Sequence, residues 1–301
     1  MKKNIFIFTL TFFLSIASLV ADSNNPEEVL ISGKQVGRLQ TELIKEASGI
    51  AASRKNPGVL WIHNDSGNSA SLYALNIKGE LLGNFRVEDA TCRDWEDIAI
   101  GPGPDEKLDY LYIGDIGDNA EKHSSVIIYR VPEPAVDPNG ELIKAKTEPA
   151  EKIELVYPDG PKDAETLMID PSNGDIYIVT KRQLYGRVYR AAYPHSTKQK
   201  ITMSPITVLP IALATGGDIS RDGRYIVVRN LSQASIWTRP KDKPLQDAFS
   251  QKPIEITLMP EPQGEAICFD ASSSGFFTVS EKKNPFIYYF TGLKALNETN
   301  N

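Results

Sequence analysis

The sequence predicts an all-β fold, a five-bladed β-propeller closed by its N-terminal strand. Three observations predict it. One hairpin-based unit recurs five times, tight-turn residues punctuate each copy, and convincing amphipathic helices are absent. Each unit has a polar or acidic residue leading into an apolar strand, then a turn, a second strand and a polar tip. Units of about fifty residues with four strands each describe blades packed around a channel.

The first unit starts at Ser48-Gly49-Ile50, turns at Lys55-Asn56-Pro57-Gly58 and ends its second strand at Asp65. The second starts at Trp95-Glu96-Asp97-Ile98 and ends at Asp115. The third starts at Ala164-Glu165-Thr166-Leu167, turns at Asn173-Gly174 and ends at Thr180-Lys181. The fourth starts at Gly217-Asp218-Ile219, turns at Asp222-Gly223 and ends at Arg229-Asn230. The fifth starts at Gly264-Glu265-Ala266-Ile267 and ends at Ser280-Glu281. Asn-Gly and Asp-Gly between apolar runs are hairpin signals because a tight primed turn needs positive φ. The equivalent residues Ile50, Ile98, Leu167, Ile219 and Ile267 are spaced 48, 69, 52 and 48 apart. The 69-residue interval is long enough to hold extra strands, which leaves six blades as the alternative.

Third strands are expected at residues 71–75, 126–131, 187–191, 234–238 and 286–290, and fourth strands at 81–87, 152–157, 206–210 and 254–258. The fifth unit has no fourth strand of its own, and the run 29–39 is the natural supplier. Closing the ring in this way removes an open sheet edge. Residues 137–149, rich in Pro, Glu and Lys, read as a surface loop, and 38–46 as at most one short helix.

Ahead of the repeats, Lys2 and Lys3 precede an apolar run to Val20, followed by small residues, so residues 1–21 are expected to be a secretory signal and 22–301 a single propeller domain. The expected location is extracytoplasmic, periplasmic or secreted, with no membrane-embedded part once the signal is cleaved. A net charge of -6 without a basic tract excludes a nucleic-acid partner. Two cysteines, Cys92 and Cys268, make neither a disulfide scaffold nor a Cys-rich zinc site, and free thiols are expected.

Strand direction then selects candidate site residues. The start of a first strand and the end of a second lie at the same end of a blade, so five such pairs form a ring at one mouth of the channel. Glu96, Glu165, Glu265, Asp65 and Asp115 are gathered there. Converging carboxylates repel unless protonated or neutralised. An all-oxygen set favours calcium, and the scarcity of His and Cys disfavours zinc. A calcium ion held by two or three of these acids is the leading expectation. Lys181, Arg182 and Arg229 are expected to orient an anionic ligand. His63, two residues before Asp65, or Asp115, is expected to handle a proton. Trp61, Trp95 and Trp237 are expected as packing groups, or as sugar platforms if the acids act on a glycosidic bond.

Through Glu46-Ala47-Ser48-Gly49-Ile50, Asp94-Trp95-Glu96-Asp97-Ile98-Ala99, Asp163-Ala164-Glu165-Thr166-Leu167 and Gln263-Gly264-Glu265-Ala266-Ile267, the sequence resembles extracytoplasmic propellers of the SdiA-regulated and the esterase-like or phytase-like families. Glu96-Asp97-Ile98 is also similar to the calcium-binding strand start of paraoxonase-type lactonases. That resemblance implies that Asp97 touches calcium as well. The fourth unit lacks the Glu. Two functions follow as expectations: a calcium-dependent hydrolase of a phosphoester or a lactone or other ester, and a non-catalytic scaffold for a protein or a small anionic ligand.

Overall fold

Apolar residues fill both faces of the inner strands because each blade is sandwiched between two others, so these strands read as nearly continuous hydrophobic runs. The computed structural model describes residues 31–293. The expected signal at 1–21, its cleavage point and the first two residues of the closing run lie outside them.

The described strands form five sheets. The chain opens with β1 (Ser32–Arg38). Blade 1 comprises β2 (Ala47–Ala52), β3 (Val59–Asn64), β4 (Ser71–Asn76) and β5 (Leu81–Arg86). Blade 2 comprises β6 (Trp95–Pro102), β7 (Asp109–Asp115) and β8 (Val126–Pro132), with β9 (Ile143–Lys146) intervening before its fourth strand, β10 (Glu151–Val156). Blade 3 comprises β11 (Ala164–Ile169), β12 (Ile176–Thr180) and β13 (Gly186–Ala191), with the two-residue β14 (Ile201–Thr202) before β15 (Ser204–Leu209). Blade 4 comprises β16 (Gly216–Ile219), β17 (Tyr225–Arg229) and β18 (Gln233–Thr238), then a one-turn helix α1 (Leu245–Phe249) and β19 (Ile254–Thr257). Blade 5 comprises β20 (Gly264–Phe269), β21 (Gly275–Ser280) and β22 (Phe286–Thr291), and β1 pairs antiparallel with β22 as its fourth strand. The first strands touch in cyclic order, β2 to β6 to β11 to β16 to β20 and back to β2. Five blades closed by the N-terminal strand are therefore the fold. The 69-residue interval between Ile98 and Leu167 contains blade 2 and β9, not a sixth blade.

The hairpin turns behave as their residues require. Gly174 and Gly223 take φ of 79° and 71°, a region in which an L side chain is strained. Five apolar clusters fill the spaces between neighbouring blades. Trp61, Trp95 and Trp237 lie wholly inside them, so none offers a face to a sugar. Cys268 is buried and Cys92 partly so, and both are free.

Two details depart from expectation. Residues 143–146, read as loop, form β9, which adds parallel to β5 on the outer edge of blade 1. The β14 strand likewise adds parallel to β10 on blade 2. Residues 39–46 form no helix. None of the described helices is long and apolar enough to cross a membrane.

Candidate functional site

The geometry of the mouth originates in a repeated irregularity of pairing. In blade 2 Trp95 pairs with Asp115 and Asp97 with Gly114, so Glu96 is an extra residue with no partner across the ladder. Glu165 is the extra residue between Ala164 and Thr166 in blade 3, and Glu265 between Gly264 and Ala266 in blade 5. Blade 1 has the same interruption between Ala47 and Ile50. Blade 4 pairs regularly through Gly216, Gly217, Asp218 and Ile219. A bulge rotates the strand locally and re-aims a side chain. Here the unpaired position carries the glutamate in three of the four bulged blades, and the blade without a bulge is the blade without a glutamate.

The three glutamates are 5–6% exposed. Burial, then Glu165, Asp65 and Asp94, pushes the Glu96 carboxyl well above its ordinary range, against the pull of Lys181. Burial raises Glu265 to about 8, helped by Glu165 and Glu281. Glu165 rises to about 7 through burial, despite its ion pair with Lys181. Burial opposes the Lys181 ammonium, but Glu165, Glu265 and Glu96 together raise its pKa. These groups therefore share one electrostatic environment, with the lysine among crowded acids.

A tighter group lies on the side of blades 1 and 2. One carboxylate oxygen from each of Asp65, Asp94 and Glu96 lies within 4.8 Å of the others. Asp94 rises to about 6 through burial and then through Asp65, Asp163 and Asp115. The wall behind this group is Gly117, where a Cβ would lie 2.3 Å from Glu96 Oε1 and 2.5 Å from Asp94 Oδ2. Asp94, just ahead of the second unit's first strand, is the member of this group that strand direction does not select. Its approach to Glu96 depends on the turn that brings Gly117 N to Asp94 O at 3.2 Å, which no local motif announces.

The remaining sequence candidates occupy other places. Asp115 is buried beneath the group: its Oδ1 accepts the Asp94 amide at 3.0 Å and pairs with Arg93 at 3.3 Å, while Oδ2 has no partner. It positions Asp94. Asp97 turns inward to the channel, where its carboxylate accepts the amides of Ile98 and Leu167, both at 2.9 Å, and of Gly217 at 3.4 Å. It thus ties β6 to β11 and β16. Asp218, the equivalent residue of blade 4, accepts Ile219 N at 2.8 Å and Phe269 N at 2.9 Å, tying β16 to β20. Ser48 Oγ donates to Glu96 O at 2.6 Å, tying blade 1 to blade 2. Asp97 belongs to this hub stitching and not to the acid group at the mouth.

His63 is fully buried between blades 1 and 2. Its Nδ1 lies 2.9 Å from Asn64 O, and its ring meets Trp95 edge-on at 5.6 Å. Burial lowers its pKa to about 4, so the ring is neutral at physiological pH. Gly49 makes room for it, since a Cβ there would lie 2.6 Å from Nε2. Arg229 is also fully buried. It bonds Glu261 at 2.8 Å and Ala266 O at 3.0 Å, with Thr278 Oγ1 donating to the other oxygen of Glu261 at 2.9 Å. Lys181 and Arg182 do stand at the mouth, paired with Glu165 and, at 2.6 Å, with Asp163.

No family model matches the chain, and no curated protein sequence matches it. Among solved structures it is similar to a chain in a crystal structure of a nidogen/laminin complex, at 11% identity over 78% of this chain and 72% of that one, with a TM-score of 0.42. A likeness of that degree carries no argument about ligand or chemistry.

Proposed function

We propose that this chain is a calcium-binding β-propeller that works outside the cytoplasm and receives a ligand at its acid-lined mouth. The observation that carries this reading is the convergence of Asp65, Asp94 and Glu96 within 4.8 Å. The residues fit the ion in three respects. The donors are all carboxylate oxygen, as a hard cation requires. Gly117 leaves the space that lets two of them approach. Asp115, one layer below, fixes Asp94 through its amide. The ion would neutralise acids whose carboxyls burial and one another's charge otherwise push upward. The secretory signal expected at 1–21 from the sequence supports the location, since calcium is plentiful there.

The scaffold role is preferred over hydrolysis. His63 and Arg229, two of the groups a hydrolase would need at the mouth, are wholly enclosed. Hydrolysis of a phosphoester or lactone keeps one specific support. Glu265, held near 8 and acted on electrostatically by Lys181, has the proton affinity of a general acid or base in the same mouth. When bound, calcium would supply Lewis-acid polarisation of a phosphoryl or carbonyl oxygen.

Calorimetric titration with calcium, repeated on Glu96→Gln, tests the ion. The expected result is one site, weakened at least about tenfold in the variant; a flat titration of the wild type overturns it. Assay of a nitrophenyl phosphate and a lactone panel, with Glu265→Gln as control, separates the two roles. Turnover lost in that variant would establish the hydrolase.

A further inference from the structure

The face that bears the mouth also carries uncovered apolar side chains on blades 3 and 4. Leu184 and Tyr185 lie in the β12–β13 loop, Leu213 in the link from β15 to β16, and Leu231 in the β17–β18 loop. They are 81%, 57%, 45% and 43% exposed. Backbone hydrogen bonds join these connections in series: Gly186 N to Ile211 O at 2.8 Å, Thr215 N to Arg229 O at 3.0 Å, and Leu258 N to Ser232 O at 2.9 Å. Beside Leu231, a cleft of about 500 Å³ is lined by Leu258, Met259, Pro260 and Pro262.

Single exposed leucines are ordinary on protein surfaces. Leu213 stands apart, because it holds φ at 56°, a conformation a bulky L residue avoids and one that clusters at ligand-binding sites. A second, independent observation lies at the mouth. Glu165 is 94% buried with its Oε2 unpartnered, and Oε2 of Glu281 is unpartnered as well. These two residues belong to blades 3 and 5 and flank blade 4, whose first strand begins with Gly216 and Gly217 and puts no side chain between them. On this side one lysine, Lys181, stands among Glu96, Glu165, Glu265 and Glu281. A cationic group arriving over blade 4 therefore comes to a cluster in which carboxylates outnumber the one lysine and two carboxylate oxygens, enclosed by their neighbours, have no partner, with apolar side chains along its path.

We propose that this face docks a segment of a partner protein that carries a lysine or arginine flanked by bulky apolar residues, the basic group lying between Glu165 and Glu281 and its neighbours resting on Leu213 and Leu231. The proposal deepens the ligand-receiving role given above and rests on that role, not on the ion. The same carboxylates that attract a basic side chain repel an anionic lipid surface, so charge complementarity selects a peptide over a membrane. Peptide grooves work in this way, with a few apolar anchors for affinity and a charge for register.

The test is selection of a random-peptide phage library on the immobilised full propeller, once with calcium and once with EDTA. The expected consensus places Lys or Arg beside Leu, Phe or Tyr. Enriched peptides are expected to lose at least about tenfold in affinity on Leu213→Ser, on Leu231→Ser and on Glu281→Gln, while melting temperatures confirm that each variant folds. No enrichment, an acidic or purely polar consensus, or binding indifferent to all three substitutions overturns the proposal. So does binding to phosphatidylserine vesicles in preference to the peptides. A flat calcium titration with peptide binding intact in EDTA would sink only the ion, whereas a normal titration without enriched peptides would sink only the docking face.

Discussion

Gly117 stands directly against Glu96: a Cβ on the glycine would lie 2.3 Å from the glutamate Oε1, and 2.5 Å from Asp94 Oδ2. The atoms it would strike are the far ends of flexible side chains, so the backbone can stay while the acids move. Gly117→Ala is therefore expected to fold with an almost unchanged melting temperature and to bind calcium about tenfold or more weakly, as measured by calorimetry. A variant that melts early, or one that binds as the wild type does, contradicts the role of Gly117 as the wall of the group.

Stability should depend on pH in a direction opposite to that of most acidic surfaces. Burial first, and neighbouring charges second, hold Asp94 near 6 and Glu265 near 8. Burial likewise holds Glu165 near 7 against the pull of Lys181, and Asp218 near 7 against its backbone donors. Unfolded, all four titrate near 4. Below about pH 4 both states keep these protons and no stability is lost. As the pH rises from about 4 to about 8 the unfolded chain releases them first and the folded one only later, so stability falls across that window. Melting in EDTA is expected to fall from about pH 5 to about pH 8, and calcium to flatten the slope, because a bound cation favours the ionised acids. A slope unaltered by calcium removes the ion from this group.

The Arg229–Glu261 pair is a structural prediction. Both side chains are 0–1% exposed. Arg229→Met leaves Glu261 buried without its cation and should destabilise by about 3–5 kcal/mol in denaturant unfolding. The double variant Arg229→Met with Glu261→Met should lose less than the sum of the singles. A near-neutral Arg229→Met would put the guanidinium back among ligand-binding candidates.

The closing strand makes the fourth prediction. Deleting residues 32–38 leaves β22 with an unpaired edge and uncovers Phe290, which stacks on Phe276 at 4.6 Å and lies over Gly33. The truncated chain is expected to lose its single cooperative melting transition and to associate through the open edge, visible in light scattering. A monomeric chain that still melts cooperatively would show that the strand is dispensable.

The blades were legible because a hairpin carries its own punctuation: Asn173-Gly174 and Asp222-Gly223 announce tight turns, and each apolar strand flanks one. The β9 strand was not, because a four-residue parallel edge strand with alternating lysines has no turn of its own to mark it. At the mouth, position along the chain gave the height of each residue in its blade and thus gathered Asp65, Glu96, Glu165 and Glu265 correctly at one end of the wheel. It did not give direction. Both faces of an inner strand are packed against neighbouring blades, so His63, opposite the bulge of blade 1, and Arg229, paired with Gly216 at a strand end, point into those interfaces. The three glutamates that gather at the mouth are residues freed by a bulge, and a bulge is a property of two paired strands that neither shows alone. Asp97 illustrates the same limit: one residue beyond the bulge, its side chain is committed to backbone amides of two other blades.

The borrowed edge strands give the wheel an uneven grip. By sequence β9 lies within blade 2 yet is bonded to blade 1, and β14 lies within blade 3 yet is bonded to blade 2. Like overlapping shingles, these pieces fasten three successive sectors, so fraying any one of them must peel strands from its neighbour. The junctions from the third sector to the fourth and from the fourth to the fifth have no such overlap among the described residues. Amide exchange should therefore find the first opening of the ring there, at the sector that begins with two glycines.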